Sequence, residues 1–262
     1  MTALTLQGFF KGQSAYVAGP GPKLYFGFPI AIALFVAAQV AAGLLYTVLG
    51  FDPRDVFPPA NPSGSGSSPG NAITTGQLRI VLMSQIILIP LTLLVAAYAR
   101  GGLVGVLRLG PPDGGPRAYL LAVLGFVPLL AVTNAIAYTV KPDAYLNDFR
   151  LFLETVRGPA PVIAAVAIGL GAPFSEELLF RGYLLSSATA TRIPFWPSAL
   201  IVNVAWTALH IQYSIIGLIE VFVIGLYLSW LMQRTGSLRV PLFCHALYNS
   251  TLFVIMRFAP IS

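Results

Sequence analysis

Long apolar stretches alternate along this chain with short turns rich in polar residues, proline and glycine. Positions 27–49, 78–99, 118–140, 162–186, 214–232 and 240–258 each stay apolar for about 19 to 25 residues. At ~1.5 Å per residue, such helices can cross a hydrocarbon core of about 30 Å. The stretch 198–211 is shorter, about 14 residues, so its end at His210-Ile211-Gln212 is expected at membrane depth, as in proteins that build sites from interrupted helices.

The intervening segments differ in kind. Over 141–161, Tyr145, Leu146, Phe149, Phe152, Leu153 and Val156 recur at helical intervals against Asn147, Asp148, Arg150 and Glu154, which predicts an amphipathic interfacial helix. The segment 51–77 holds Pro58-Pro59, Asn61-Pro62 and a Ser/Gly run, the composition of a flexible solvated loop. Residues 1–23 lack the apolar core of a signal peptide, and Phe9, Phe10 and Tyr16 near Lys11 suggest an interfacial segment. The expected fold is therefore all-α: one membrane domain, 1–262, forming a polytopic transmembrane bundle of about seven spans plus the amphipathic helix. Residues 1–161 supply the first spans and 162–258 the core spans that carry the chemistry.

Composition narrows the function classes. With 56% hydrophobic and 9% charged residues and a mean hydropathy of +0.80, the chain is not an ordinary soluble domain. The net charge of +6 is spread over short loops, which points to membrane orientation and anionic headgroups as partners, not nucleic acid. Counting Lys and Arg on alternate sides favours a cytoplasmic N-terminus, in a bacterial plasma membrane by the Ala-, Gly- and Pro-rich composition. The single cysteine, Cys244, excludes an internal disulfide and reads as a packing thiol.

Against this background Glu176, Glu177 and Arg181 stand out, because a carboxylate near the bilayer centre costs roughly 2.5 to 3.5 kcal/mol. At helical spacing Glu177 and Arg181 share a face, whereas Glu176 points about 100° away and is free for chemistry. Both histidines also lie in spans, with Trp206/His210 and His245/Asn249 repeating the four-residue spacing. Polar groups on three helices should converge on one cavity open to water on one side.

Glu176 can then serve as general base on a water with His210, Arg181 can keep Glu177 ionised, and His245 with Asn249 can stabilise an oxyanion. The same residue types allow zinc, bound by Glu176, His210 and His245, although no His-Glu-x-x-His is present. A structural reading uses the same pairs as interhelical hydrogen bonds in a non-catalytic immunity, chaperone or scaffold protein. A third reading, a proton-coupled transporter, takes its cue from Glu220 inside the span 214–232.

The ordered motifs Glu176-Glu177-x-x-x-Arg181, Trp206-x-x-x-His210 and His245-x-x-x-Asn249 resemble those of the CAAX-protease and bacteriocin-processing family of intramembrane proteases. The flanking Phe180-Arg181-Gly182 and the turn Arg234-Thr235-Gly236-Ser237-Leu238 add to the likeness, which covers roughly the C-terminal third. Trp206 stands where phenylalanine is usual, a conservative exchange of bulky aromatics. The resemblance implies an endopeptidase acting on a membrane-associated peptide or protein, with Glu176 and His210 activating water and His245 and Asn249 forming the oxyanion site. It leaves glutamate and metal dependence both open.

Overall fold

A computed structural model of the chain describes residues 9, 14–19, 21–57 and 73–259. The loop expected over 51–77 lies largely outside the described residues, as does most of the 1–23 segment. Among the described residues the fold is all-α with no strand.

α1 (Leu24–Val48) and α2 (Thr75–Tyr98) form an antiparallel pair. α1 meets its neighbours through small residues, Gly27, Ala31, Ala38 and Ala42, which recur at roughly one- and two-turn intervals and let backbones approach. Its large apolar side chains, Phe26, Ile32, Val36, Val40 and Leu44, are exposed. A helix apolar on all sides with its bulk turned outward is made for lipid. α2 begins on a capping box, in which Gln77 N donates to Thr74 Oγ1 at 3.1 Å and Thr74 N to Gln77 Oε1 at 2.8 Å.

A short α3 (Gly102–Leu107) leads to α4 (Pro116–Val140) and to the predicted amphipathic helix, α5 (Pro142–Arg157). α5 packs Phe149, Phe152, Leu153 and Val156 inward, as its periodicity requires, but Leu146 is exposed. Asp148, grouped with the polar face by spacing, instead turns in and accepts from Ser214 N at 3.0 Å and Ser214 Oγ at 2.6 Å. The inward turn has a local cause: the helix starting after Ser214 leaves backbone N–H groups unpaired, and a carboxylate is the best acceptor for them.

α6 (Pro161–Ala190) is the central helix, 30 residues long. It contains two stretches widened to i→i+5 turns, Ala167–Gly171 and Glu177–Leu184, a deviation that recurs at functional sites. α7 (Phe195–Thr207) ends in a tighter turn, Ala208–His210, followed by α8 (Ile215–Thr235) and α9 (Arg239–Phe258).

Five of these helices, α1, α2, α4, α6 and α8, are long and apolar enough to cross a membrane, against about seven expected. α7 has 13 residues, about 20 Å, too few to cross alone. α9 has 20 but includes Arg239, His245, Asn249, Ser250 and Arg257, which lower its hydropathy. The turn between α8 and α9 is a clasp: Leu238 N donates to Arg108 O at 2.9 Å, Asp113 N to Thr235 O at 2.9 Å, and Ser237 Oγ to Gly110 O at 2.6 Å. Gly182 opens the same region, since a Cβ there would come within 2.9 Å of Leu107 Cδ2.

Candidate active site

Glu177 and Arg181 sit on one face of α6, both fully buried, with Arg181 Nη1 donating to Glu177 Oε1 at 3.0 Å. The four-residue spacing predicted this pair. The same Oε1 takes His245 Nδ1 of α9 at 3.0 Å, which ties two helices through one carboxylate oxygen. A carboxylate held by a guanidinium only accepts, so Nδ1 of His245 carries the proton and Nε2 is left for other partners. Glu177 Oε2 and Arg181 Nε have no partner among the described residues.

Arg181 reaches further. Its Nη2 donates to Asn203 Oδ1 at 3.3 Å and to the Gly225 carbonyl at 3.4 Å, and its guanidinium lies 4.1 Å from the centroid of the Trp206 ring. Cation–π contacts of this kind are worth about 2 kcal/mol or more when desolvated. Gly225 is required for this packing: a Cβ would meet Trp206 at 2.7 Å and Arg181 Nη2 at 2.8 Å.

Trp206 is the hub. Its indole Nε1 donates to Glu176 Oε2 at 2.6 Å, and its ring lies 5.0 Å from His210 and 5.9 Å from His245, both edge-on. The exchange of phenylalanine for tryptophan is therefore not conservative here, because a phenyl ring has no N–H for Glu176. His210 Nδ1 is 3.2 Å from the Trp206 carbonyl, an acceptor only, so this ring too is protonated on Nδ1 with Nε2 free of that bond.

The motif residues do meet, but not as one cavity lining. Glu176, half-buried, lines a cavity of about 160 Å³ between α1, α2 and α6, together with Leu209 beside His210. Glu177 and His245 are buried and neither lines it. Asn249 does not bond to His245: its Nδ2 donates to Ile168 O at 3.0 Å, and Ser250 Oγ to Gly169 O at 3.3 Å. Both acceptors belong to the first widened stretch of α6, where the altered turn redirects carbonyls toward α9.

Among the described residues, no group of three or more His, Cys, Asp and Glu side chains is arranged to hold a metal ion. The candidate zinc donors do not fit as a set, since Glu176 is held by Trp206, His210 is turned to a backbone carbonyl and His245 is bonded to Glu177. Cys244 is buried in the apolar core, as a packing thiol would be.

Residues 158–251 match the family model of the type II CAAX prenyl endopeptidase Rce1-like proteins. This segment, about a third of the chain, is similar to the Rce1-like family. The matched segment starts just before α6 and ends within α9, so it contains all three motifs. Among curated proteins, an "Uncharacterized 24.3 kDa protein" of Escherichia coli is 34% identical over 89 residues, 33% of this chain and 41% of that protein. The "UPF0177 protein YxdF" of Lactococcus lactis subsp. lactis (strain IL1403) is 25% identical over 132 residues, 50% of this chain and 68% of that one. The chain thus spans less than half the length of the first relative. No solved structure matches it.

Within the Rce1-like segment, spacing alone missed Asn203, Gly225 and Tyr213. Asn203 lies three residues before Trp206 on the same face of an apolar helix, the signal that could have found it. Tyr213, in the turn before α8, stacks on His210 with centroids 6.0 Å apart. Burial pushes its phenol up to about 12, with Asp148, Glu176 and Glu220 adding to the effect, so it stays a hydroxyl donor beside the histidine. Gly225 gives no warning in the sequence.

Proposed function

We propose that the protein is an intramembrane endopeptidase that hydrolyses a peptide bond in a membrane-associated peptide or protein. The observation that carries this reading is the convergence on Trp206. Glu176 accepts from its indole, Arg181 lies over its ring, both histidines pack against it, and Glu177 joins Arg181 to His245.

In this proposal Glu176, with one oxygen held by Trp206 and the carboxylate on the cavity wall, takes a proton from water. His210 assists through Nε2, and hydroxide adds to the scissile carbonyl carbon. His245, fixed through Nδ1 by Glu177, turns Nε2 toward the developing oxyanion and donates there when that nitrogen is protonated. Asn249 retains a second N–H for the same oxyanion beyond the one bonded to Ile168. The proton on Glu176 passes to the leaving amine as the C–N bond breaks. Glu177 and Arg181 hold the frame. No step runs through a metal.

A non-catalytic scaffold is the second reading, favoured by the fact that Glu177, His245 and Asn249 all bond α6 to α9. The deciding experiment is Glu176→Gln in the full chain, reconstituted in bilayers with a panel of membrane-associated peptides. The endopeptidase reading expects cleavage by the parent and its loss in the variant. No cleavage of any peptide by the parent supports the scaffold, and equal cleavage by both would remove Glu176 as the base.

A further inference from the structure

The cavity beside Glu176 carries polar groups that the catalytic reading does not use. Gln39 of α1 and Gln85 of α2 both line it, with Ser84, Ser175 and Glu176. Ser84 and Ser175 are already satisfied, donating to Val81 O and Gly171 O at 2.8 Å each. The glutamines are not. Gln85 is only 7% exposed, its Oε1 is buried with no partner, and neither amide makes a hydrogen bond among the described residues.

Depth makes the pair coherent. Gln39 lies nine residues before the end of α1 and Gln85 ten residues after the start of α2. At ~1.5 Å per residue, both stand about 14 to 15 Å from the end that the two antiparallel helices share. Two amides therefore face one cavity at one level inside a bundle whose outer surface is apolar. Gly171 permits this arrangement, because a Cβ there would collide with Gln85 Oε1 and Cδ.

An unpaired buried amide group costs roughly 1 to 3 kcal/mol, so a binding partner that satisfies it gains by the same order. Each glutamine offers a donor and an acceptor, the complement of one peptide unit of an extended chain. The terminal torsion of Gln85 is soft and roughly two-fold, so a half-turn brings its acceptor to the cavity when a donor arrives. We propose that Gln39 and Gln85 form a main-chain binding subsite that holds the substrate's peptide units against Glu176. The proposal rests on the endopeptidase reading, and names N-terminal residues outside the Rce1-like segment as part of the site.

The test is binding, not turnover. The probe is a short fluorescent peptide of about six Val residues flanked by lysines, which favours the extended form and is too short to span as a helix, presented to the full-length protein in nanodiscs in the Glu176→Gln background, with an N-methylated version of the same peptide as control. Gln85→Leu and Gln39→Leu are each expected to weaken probe binding about tenfold, the order of one hydrogen bond. The N-methylated probe, lacking backbone N–H groups, should bind weakly to parent and variants alike. Gln85→Leu should leave the melting temperature unchanged or raise it, since it removes an unpaired buried group.

Undiminished binding by both leucine variants, no binding by the parent, or a lowered melting temperature with binding intact would each overturn the subsite. So would a loss of turnover with probe affinity unchanged, the signature of amides that hold only water. If the parent cleaves nothing yet the leucine variants lose the probe, hydrolysis falls and the subsite stands.

Discussion

Of the three carboxylates inside the spans, Glu177 and Glu220 are treated in opposite ways. Glu177 sits deep in α6, roughly 20 Å from its end at Ala190, fully buried and bonded to a guanidinium and an imidazole. Glu220 sits about 8 Å into α8, half-buried, and accepts only from neutral groups, Asn134 Nδ2 at 2.7 Å and Thr133 Oγ1 at 3.4 Å. Asn134 in turn accepts from the Tyr145 hydroxyl at 2.7 Å, which links α5 to the cluster. Depth explains the difference: far from water a charge requires a counter-charge, whereas near a helix end neutral donors and partial hydration suffice. A carboxylate in a span is therefore no sufficient mark of chemistry. What distinguishes the Glu177 region is its connection, through Arg181 and Trp206, to a second carboxylate that faces a cavity.

The largest expected effect tests that connection. Glu176→Gln keeps the side-chain shape and removes the proton acceptor, so cleavage should fall ~10²–10⁴-fold while the melting curve is retained. If Glu220→Gln abolished function and Glu176→Gln did not, the order of importance would invert and transport would replace hydrolysis.

Next is Glu177→Gln, which leaves Arg181 buried without its charge partner. Denaturant titration should show a loss of roughly 3 to 5 kcal/mol. A loss below about 1 kcal/mol would mean that Asn203, the Gly225 carbonyl and the Trp206 ring hold the guanidinium unaided.

Trp206→Phe removes one hydrogen bond to a charged group and keeps the ring. It should lower cleavage by roughly 10- to 100-fold, the equivalent of about 1.5 to 3 kcal/mol. Full activity would show that the indole N–H does not position Glu176.

Glu220→Gln should be milder, about 1 kcal/mol in stability, since a glutamine carbonyl can still accept from Asn134. A cost as large as that at Glu177 would erase the comparison. The smallest effect is expected from excess chelator, which should leave cleavage unchanged because the candidate zinc donors do not converge. Activity lost to chelator and restored by zinc would place a metal in the site.

Much of the architecture was legible in advance, for identifiable reasons. Apolar length alone marked α1, α2, α4, α6 and α8, because a membrane span needs a run of residues that nothing else in a protein needs. Helical periodicity marked α5, and four-residue spacing marked Glu177 with Arg181. The pattern failed at Asp148, where an unpaired helix start drew an acidic residue inward, and at Asn249, whose acceptor exists only because α6 is widened at Ala167–Gly171.

By itself the sequence determined which segments favour lipid and which polar residues share a face of their own helix, since both follow from local composition and helical period. Only the tertiary structure decided that Glu177 serves His245, that Trp206 bonds Glu176, and that Gln39 and Gln85 meet across one cavity. Contacts between helices depend on each helix's rotation and depth, and on widened turns that shift its register. These are set by how small residues such as Gly171 and Gly225 let backbones and side chains approach, and no local period records them.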